Sequence, residues 1–519
     1  MKLANTVLAA WLIAIAALAT SSAAASPSDE IPPARSRLGI NLSGCADWST
    51  EHPFVDVFRL SRRWVSQREG AAWGKGPELE RDENGWVKRL APGCHAETPI
   101  LTAGHAPHGQ YICLYDGEGE LDFQHHSRVV SRAPGRIVVE IDGAKGGVFV
   151  QLKRINPENP VRNIRVLIPG HEQTFAKEPF SSAFLQRWRG FNTIRFMDWM
   201  RTNGSEQREW ADRPTSTFCN FTERGVPVEV MVDLCNRLKV NPWFCLPHAA
   251  NDDYVRQFAT AVKRQLDPAL KVYVEYSNEV WNSQFAQTRY AGEQGRKLGF
   301  AEKDWEAGWH YATWRSVQLH QIWEQVFGGR DRLVRVIASQ ATNPYVSEQK
   351  LQFREAWKQF DALAIAPYFH MLVPREGSDR QLGAEQVAQW PLECVLENVT
   401  TNCVPEALRD LAAQKKLADK YDLKLIAYEA GQHLVGVGGG ENNETLTRLF
   451  QATNRHPRMG DCYRAYLDGW KAADGDLCCI FSSVEQYSKW GSWGLLEFTD
   501  ETGSPKFDAV TKWNRDNPR

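Results

Sequence analysis

The chain has 519 residues, 43% hydrophobic and 24% charged, with a formal net charge of −2. That length can bury a large core, in one big domain or in two to three ordinary ones. The near-neutral balance argues against a nucleic-acid binder, which would carry a basic surplus, and against a membrane-surface protein.

The first thirty residues, "MKLANTVLAAWLIAIAALATSSAAASPSDE", place one Lys before an apolar run and end it in small residues. With Ala23-x-Ala25 as cleavage site, residues 1–25 are expected to be a secretory signal peptide, because the apolar run is short for a membrane anchor. No later run is long and apolar enough to span a bilayer, so the expected protein is secreted, extracellular or periplasmic. Its eleven cysteines would then meet an oxidising compartment, and Cys394 and Cys403, flanking a short polar loop, are the expected disulfide.

After the leader, "RLGINLSG" (37–44) reads as a strand and "PFVDVFRLSRRW" (53–64) as a helix. A block of different character follows. "YICLYDGEGELDF", "SRVVSRAPGRIVVEIDG", "GGVFVQLKRI" and "RNIRVLI" alternate polar and apolar residues and turn on Gly, Pro and Asp-Gly, as antiparallel strands do.

From about residue 180 short apolar runs alternate with segments of helical period. The runs are "FNTIRFM" (191–197), "NPWFCL" (241–246), "VYVEYS" (272–277), "VRVIAS" (334–339), "ALAIAP" (362–367), "KLIAYE" (424–429) and "LCCIFSS" (477–483). Helical candidates between them include "PVEVMVDLCNRL", "DDYVRQFATAVKRQL" and "PEALRDLAAQKKLADKY". With the upstream strand this makes eight, and strand–helix alternation implies parallel pairing. The expected fold is a (β/α)8 TIM barrel whose first βα unit (residues 26–72) is followed by an inserted β-sandwich-like domain at 73–172, with 173–519 completing the barrel. The alternative is a separate N-terminal β domain before an incomplete barrel.

Barrel active sites gather at the C-terminal strand ends. Those ends offer Arg195, His248, Asn278-Glu279, Tyr368, Glu429 and the aromatic loop "VEQYSKWGSWG" (484–494). Side chains alternate along a strand, so Glu275, Ser277 and Glu279 are expected on one face, with Glu279 over the barrel mouth. Two carboxylates facing each other across a cleft can cleave a glycosidic bond, one protonating the leaving oxygen while the other attacks the anomeric carbon or activates water.

A strand ending in Asn-Glu, with Glu ending the strand three further on, resembles the clan A (4/7) glycoside hydrolases, and the chain is similar to family 5 among them. "RLGINLSG", "IRFMDW", "WFCLPHAAN", "VEYSNE" and "WGLLEFTDETGSPKFDAV" carry the likeness. Val280 replaces the Pro that often follows Asn-Glu in the clan, and Ala366 and Phe481 also depart from the pattern. The resemblance implies a retaining double displacement on a β-linked polysaccharide such as a β-glucan or hemicellulose. Glu279 would be the acid/base and Glu429 the nucleophile. Asn278 would bind the sugar 2-hydroxyl, while Arg195 and Tyr368 steady Glu429. His248 stands where many members have a histidine, and Trp490 or Trp493 could stack on sugar.

Other classes lack their signatures. The first strand has no His-x-His for a barrel metal hydrolase, "WGSWG" is not the Gly-x-Ser-x-Gly spacing, and no phosphate or dinucleotide fingerprint occurs. Pro107 separates His105 from His108, which argues against a zinc pair. No metal or cofactor is expected. The expected partner is an oligo- or polysaccharide, with neither nucleic acid nor, once the leader is removed, a membrane. A catalytically idle carbohydrate-binding protein on the same barrel is the competing reading. Trp305, Trp309 and Trp323, at helical spacing, are expected in the core. Asp198-Trp199 reads equally as a substrate contact or a turn.

Overall fold

In the computed structural model, residues 35–379 and 381–519 are described. The expected signal peptide at 1–25 lies outside them. Eight parallel strands close into a barrel in chain order: Leu38–Asn41, Thr193–Arg195, Asn241–Leu246, Val272–Tyr276, Leu333–Ala338, Ala362–Ile365, Lys424–Ala427 and Cys478–Ile480. The last strand pairs with the first, Gly39 opposite Cys479, which closes the ring. Each expected barrel strand is present.

The two faces of the strands build two cores. Val272, Val274 and Tyr276 point outward into the layer shared with the helices, where Phe258 and Trp323 wait for them. Tyr273 points inward beside Trp243, their rings stacked at 5.3 Å, and Ala362, Ala364 and Cys479 fill the rest of that narrow interior. Large rings on two strands are thus matched by small side chains elsewhere. Helices such as Val228–Leu238 and Asp252–Gln265 cover the outside because their apolar residues recur every three to four positions. Asn251 caps the second of these, its side chain accepting from the Tyr254 N–H at 2.7 Å.

Between the first two barrel strands the chain builds two four-stranded antiparallel sheets with a core of their own. One runs Val65–Arg68, Cys94–Ile100, Val148–Ile155, Gly119–Gln124; the other runs Ser127–Ala133, Arg136–Ile141, Gly109–Asp116, Arg162–Leu167. The helix expected over "PFVDVFRLSRRW" is not formed. Only a 3-10 turn, Val57–Leu60, occurs there, and Val65–Arg68 is already a strand of the first sheet. The tertiary pull is visible: Val55, Val57, Phe58 and Trp64 are buried in the sandwich core, and the Asp56 carboxylate accepts the Val166 N–H of its last strand at 2.9 Å. The sandwich therefore begins N-terminal to residue 73.

Two further expectations need correcting, and two strands come unannounced. The stretch holding Cys394 and Cys403 is continuous helix, Leu392–Asn398, a π-turn Val399–Cys403 and Val404–Lys420, and all eleven cysteines are free. Nine residues of helix rise about 13 Å, well beyond disulfide reach. Trp323 is core, but Trp305 is 43% exposed, leaning on Trp309 at 4.6 Å. Finally, two short strands beyond the sixth and seventh barrel strands, Phe369–Pro374 and Gln432–Val437, pair in parallel above the barrel, which no sequence pattern suggested.

At Gly39 an added Cβ would meet the Cys479 sulfur and lie 3.0 Å from the Thr193 carbonyl oxygen. Gly39→Ala is expected to cost about 1–3 kcal/mol in urea unfolding, while the same change at Gly299, where the space is open, strains only the backbone. Equal costs at both positions would show that seam packing is not limiting.

Candidate active site

The site is built on a buried cation. Arg195 ends the second strand with 0% exposure. Its Nε donates to Glu275 at 3.2 Å, Nη2 to Glu275 at 3.0 Å and to Asn278 Oδ1 at 2.8 Å, and Nη1 to Asn41 Oδ1 at 3.1 Å and to Glu429 at 2.9 Å. All five N–H groups of the guanidinium are thereby used. The rings of Tyr428 and Trp243 lie 5.0 and 5.6 Å from it. Glu275 is held in turn by the Trp243 indole N–H at 2.8 Å.

Glu429 stands two residues beyond the seventh strand. One oxygen accepts from Arg195 and the other from the Tyr368 hydroxyl, both at 2.9 Å. Burial pushes its pKa up, opposed by the Arg195 charge and by these two hydrogen bonds.

Glu279 reaches the same cleft by a different device from strand alternation. The fourth strand stops at Tyr276, and Ser277 and Glu279 take left-handed φ values of 55° and 42°. Such conformations cost non-glycine residues on the order of 1 kcal/mol each. The turn is held by Ser277 N–H donating to the Leu246 carbonyl at 2.8 Å, Gln287 donating to the Asn278 carbonyl at 2.9 Å, and Asn282 N–H donating to the Glu279 carbonyl at 2.8 Å. The Glu279 carboxyl accepts from the Tyr428 hydroxyl at 3.0 Å and from the Asn282 side chain at 2.9 Å, with no cation in contact. Burial first, then the charge of Glu429, push its pKa up to about 7.

Both carboxyls line one cleft of about 1140 Å³ at the C-terminal mouth of the barrel. Asn278 and Tyr368 line it too, although both side-chain ends of Asn278 are already engaged, Oδ1 by Arg195 and Nδ2 by Asn203 Oδ1 at 3.1 Å. Trp490, 60% exposed, and Trp493 stand on the wall, with Lys489 4.7 Å from the Trp490 ring. His248 is the exception. It does not line the cleft but packs edge-on against Tyr290 at 5.0 Å, and burial lowers its pKa to about 4.

Sequence reasoning missed several members. Asn41 closes the barrel seam by donating to the Tyr428 and Ile480 carbonyls, and a polar residue ending an apolar strand was a usable signal. Asn282, three residues after Glu279, could have been found by spacing. Trp48, 58% exposed at the cleft, and the paired strands after residues 368 and 431 left no local signature. The cleft also holds Asp198, whose pKa burial and the charges of Glu485 and Glu429 push up to about 7.

No protein-family model matches the sequence, and no curated protein matches it. Solved structures do. A 4-O-α-L-rhamnosyl-β-D-glucuronidase from Fusarium oxysporum is 9% identical over 62% of this chain and 61% of its own, with TM-score 0.39. An endo-1,4-β-D-xylanase 10B from Clostridium thermocellum, solved with xylohexaose, is 10% identical over 91% of this chain and 100% of its own (TM-score 0.36). A xyloglucanase from Bacteroides ovatus, solved with a heptasaccharide, is 9% identical over 81% and 95% (TM-score 0.34). The chain spans under two thirds of the first of these, and none of the scores carries an argument beyond the barrel that the strand order already displays.

Because the folded-state pKa of Glu279 is raised, the stability it leaves intact in acid is lost as pH climbs from the unfolded value of about 4.5 through about 7. Glu279→Gln, neutral throughout, should therefore be more stable than the parent at neutral and alkaline pH, by on the order of 1 kcal/mol or more in unfolding free energy, and not at pH below that window. A uniform effect across pH would mean that Glu279 is not held protonated.

Proposed function

We propose that this protein is an exported, retaining glycoside hydrolase acting on β-linked polysaccharide, of the clan A type and similar to family 5. The observation that carries the reading is the unequal treatment of two carboxyls in one cleft. Glu429 is clamped by Arg195 and Tyr368, while Glu279 has no cation and a pKa of about 7. Environments that push paired carboxyls apart assign acid and nucleophile.

The chemistry follows from that assignment. A Glu429 oxygen forms a bond to the anomeric carbon as the glycosidic C–O bond breaks, and the departing oxygen takes the proton from Glu279. Water then gives a proton to the Glu279 carboxylate, and its oxygen displaces Glu429, returning both groups to their starting states with the anomeric configuration retained. Tyr368, donating to Glu429, holds the attacking oxygen's partner in place. Trp48, Trp490 and Trp493 offer ring faces along the cleft for sugar stacking. The apolar leader supports export, and among the described residues no helix is long and apolar enough to cross a membrane.

A screen of β-glucans, xylan, mannan and xyloglucan should yield reducing ends with the parent protein. Glu279→Gln and Glu429→Gln should each lower the rate by roughly 10²–10⁴-fold or more. Activity surviving both changes would remove the assignment. The parent's pH profile should be bell-shaped, rising as Glu429 ionises and falling as pH passes about 7 and Glu279 loses its proton. Glu279→Gln should erase the alkaline limb of any residual rate.

A further inference from the structure

Each of the two cleft carboxyls has a tyrosine of its own. The Tyr368 hydroxyl donates to Glu429 at 2.9 Å and the Tyr428 hydroxyl to Glu279 at 3.0 Å. The double displacement gives Tyr368 a task and leaves Tyr428 without one. Tyr428 also stands immediately before Glu429, so the first two residues past the seventh strand deliver the attacking carboxylate and a donor to the opposite acid. What separates the two carboxyls is the other donor. It is the charged Arg195 on Glu429, and the neutral Asn282 side chain, at 2.9 Å, on Glu279.

Tyr428 is placed to hold rather than to follow. It is fully buried, packed among the inward-facing side chains of the barrel, with the Arg195 guanidinium 5.0 Å from its ring. Its backbone is fixed on both sides. The N–H donates to the Ile365 carbonyl of the sixth strand at 2.9 Å, and the carbonyl accepts from the Asn41 side chain of the first strand at 2.9 Å. Glu279 has no such footing, since it stands on the left-handed turn beyond the fourth strand and reaches the cleft on a long side chain. Its carboxyl is the one hydrogen-bond partner of the Tyr428 hydroxyl among the described residues. Burial, then the charges of Glu279 and Glu429, push that hydroxyl well above the ordinary phenol range, so it keeps its proton and donates it. The titratable groups facing the pair are Glu429 and Tyr368, with Arg195 and, bonded to it, Glu275.

We infer that Tyr428 is the positioning residue of the acid/base: its hydroxyl, together with the Asn282 amide, fixes the rotation of the Glu279 carboxyl and favours the carboxylate left when the proton passes to the departing oxygen. This rests on the glycosidase reading of the cleft and adds to it a residue that acts through Glu279, since Tyr428 does not line the cleft itself. A hydrogen bond donated to a carboxylate favours the charged form, and such a bond is roughly twice as strong as one between neutral groups. The Tyr428 contact therefore strengthens as Glu279 gives up its proton, which lowers the barrier to cleavage of the glycosidic bond. It opposes the burial and the Glu429 charge that hold the proton on. In the return step the sign reverses, because a carboxylate held this way is a weaker base toward water. Tyr428 thus biases Glu279 toward its duty as acid.

Tyr428→Phe tests this, because it keeps the ring beside Arg195 and removes only the hydroxyl. With the glutamate carboxyls isotopically labelled for NMR, the Glu279 signal, identified by its absence from Glu279→Gln, is titrated with and without the change. Its midpoint should rise by about one pH unit, and the alkaline limb of kcat/KM on the best polysaccharide should move up with it. On that polysaccharide kcat should fall about tenfold or more with KM little changed. An aryl glycoside whose leaving group departs without a proton should lose far less. Tyr368→Phe, which takes the same group from Glu429, should move the acid limb instead. Circular dichroism shows whether each variant is folded. Where Tyr428→Phe is not, 3-fluorotyrosine at position 428, a stronger donor of nearly equal size, must lower the Glu279 midpoint. A midpoint unmoved or shifted the other way in a folded variant, or equal losses on both substrates, overturns the inference. The titration needs no turnover, so a shifted midpoint in a protein that cleaves nothing sinks the glycosidase reading alone. An active parent whose midpoint and alkaline limb ignore Tyr428→Phe sinks only this role.

Discussion

A single guanidinium, sealed under the barrel mouth, sets the terms for everything above it. Arg195 joins the ends of four strands: its own, the first through Asn41, the fourth through Glu275 and Asn278, and the loop past the seventh through Glu429. Taking a charge out of water costs several kcal/mol, and only a full set of good acceptors offsets that. The set is complete here. It also contains two carboxylates, so the floor of the cleft already balances its one cation with two anions. A third carboxyl, Glu279, arrives without a cation of its own, and burial first, then the charge of Glu429, push its pKa up to about 7. Burial pushes Glu429 up as well, but there the Arg195 charge and the hydrogen bonds from Tyr368 and Arg195 oppose it.

The rest of the molecule makes that arrangement usable. The left-handed turn at Ser277 and Glu279 lifts the carboxyl off the strand and over the cleft, held by Gln287 and Asn282. Tyr428 connects floor to wall, its ring near the guanidinium and its hydroxyl on Glu279. The inserted sandwich, whose core takes in Phe218 and Cys219 from beyond the second strand, grips the loop carrying Trp48 through Asp47. An insertion distant in sequence thus shapes one bank of the cleft.

The barrel was legible because its strands are short apolar runs separated by helical periods, and position at strand ends was enough to single out Arg195, Glu279 and Glu429. The reason offered for Glu279, face alternation, was not the operative one, since the strand ends three residues earlier and the backbone turns left-handed, which no residue pattern announces. "PFVDVFRLSRRW" has helical spacing, yet its apolar residues are claimed by a sandwich core that forms only in three dimensions. The polar interval between Cys394 and Cys403 looked like a loop because Asn and Thr disfavour helix, and a π-turn absorbs them instead. His248 stands two residues past its strand but packs edge-on against Tyr290 and is not among the residues lining the cleft. Trp48 and Asp198 lie in loops whose placement depends on the whole ring.

The account turns on Glu429 becoming covalently attached to the sugar. Incubation with a 2-deoxy-2-fluoro glycoside of the sugar cleaved best, followed by peptide mass spectrometry, tests this directly. The expected result is one added glycosyl mass on the peptide containing Glu429, lost slowly as activity returns. Time-dependent inactivation with the label on another residue, or turnover that inverts the anomeric centre with no adduct, would contradict it.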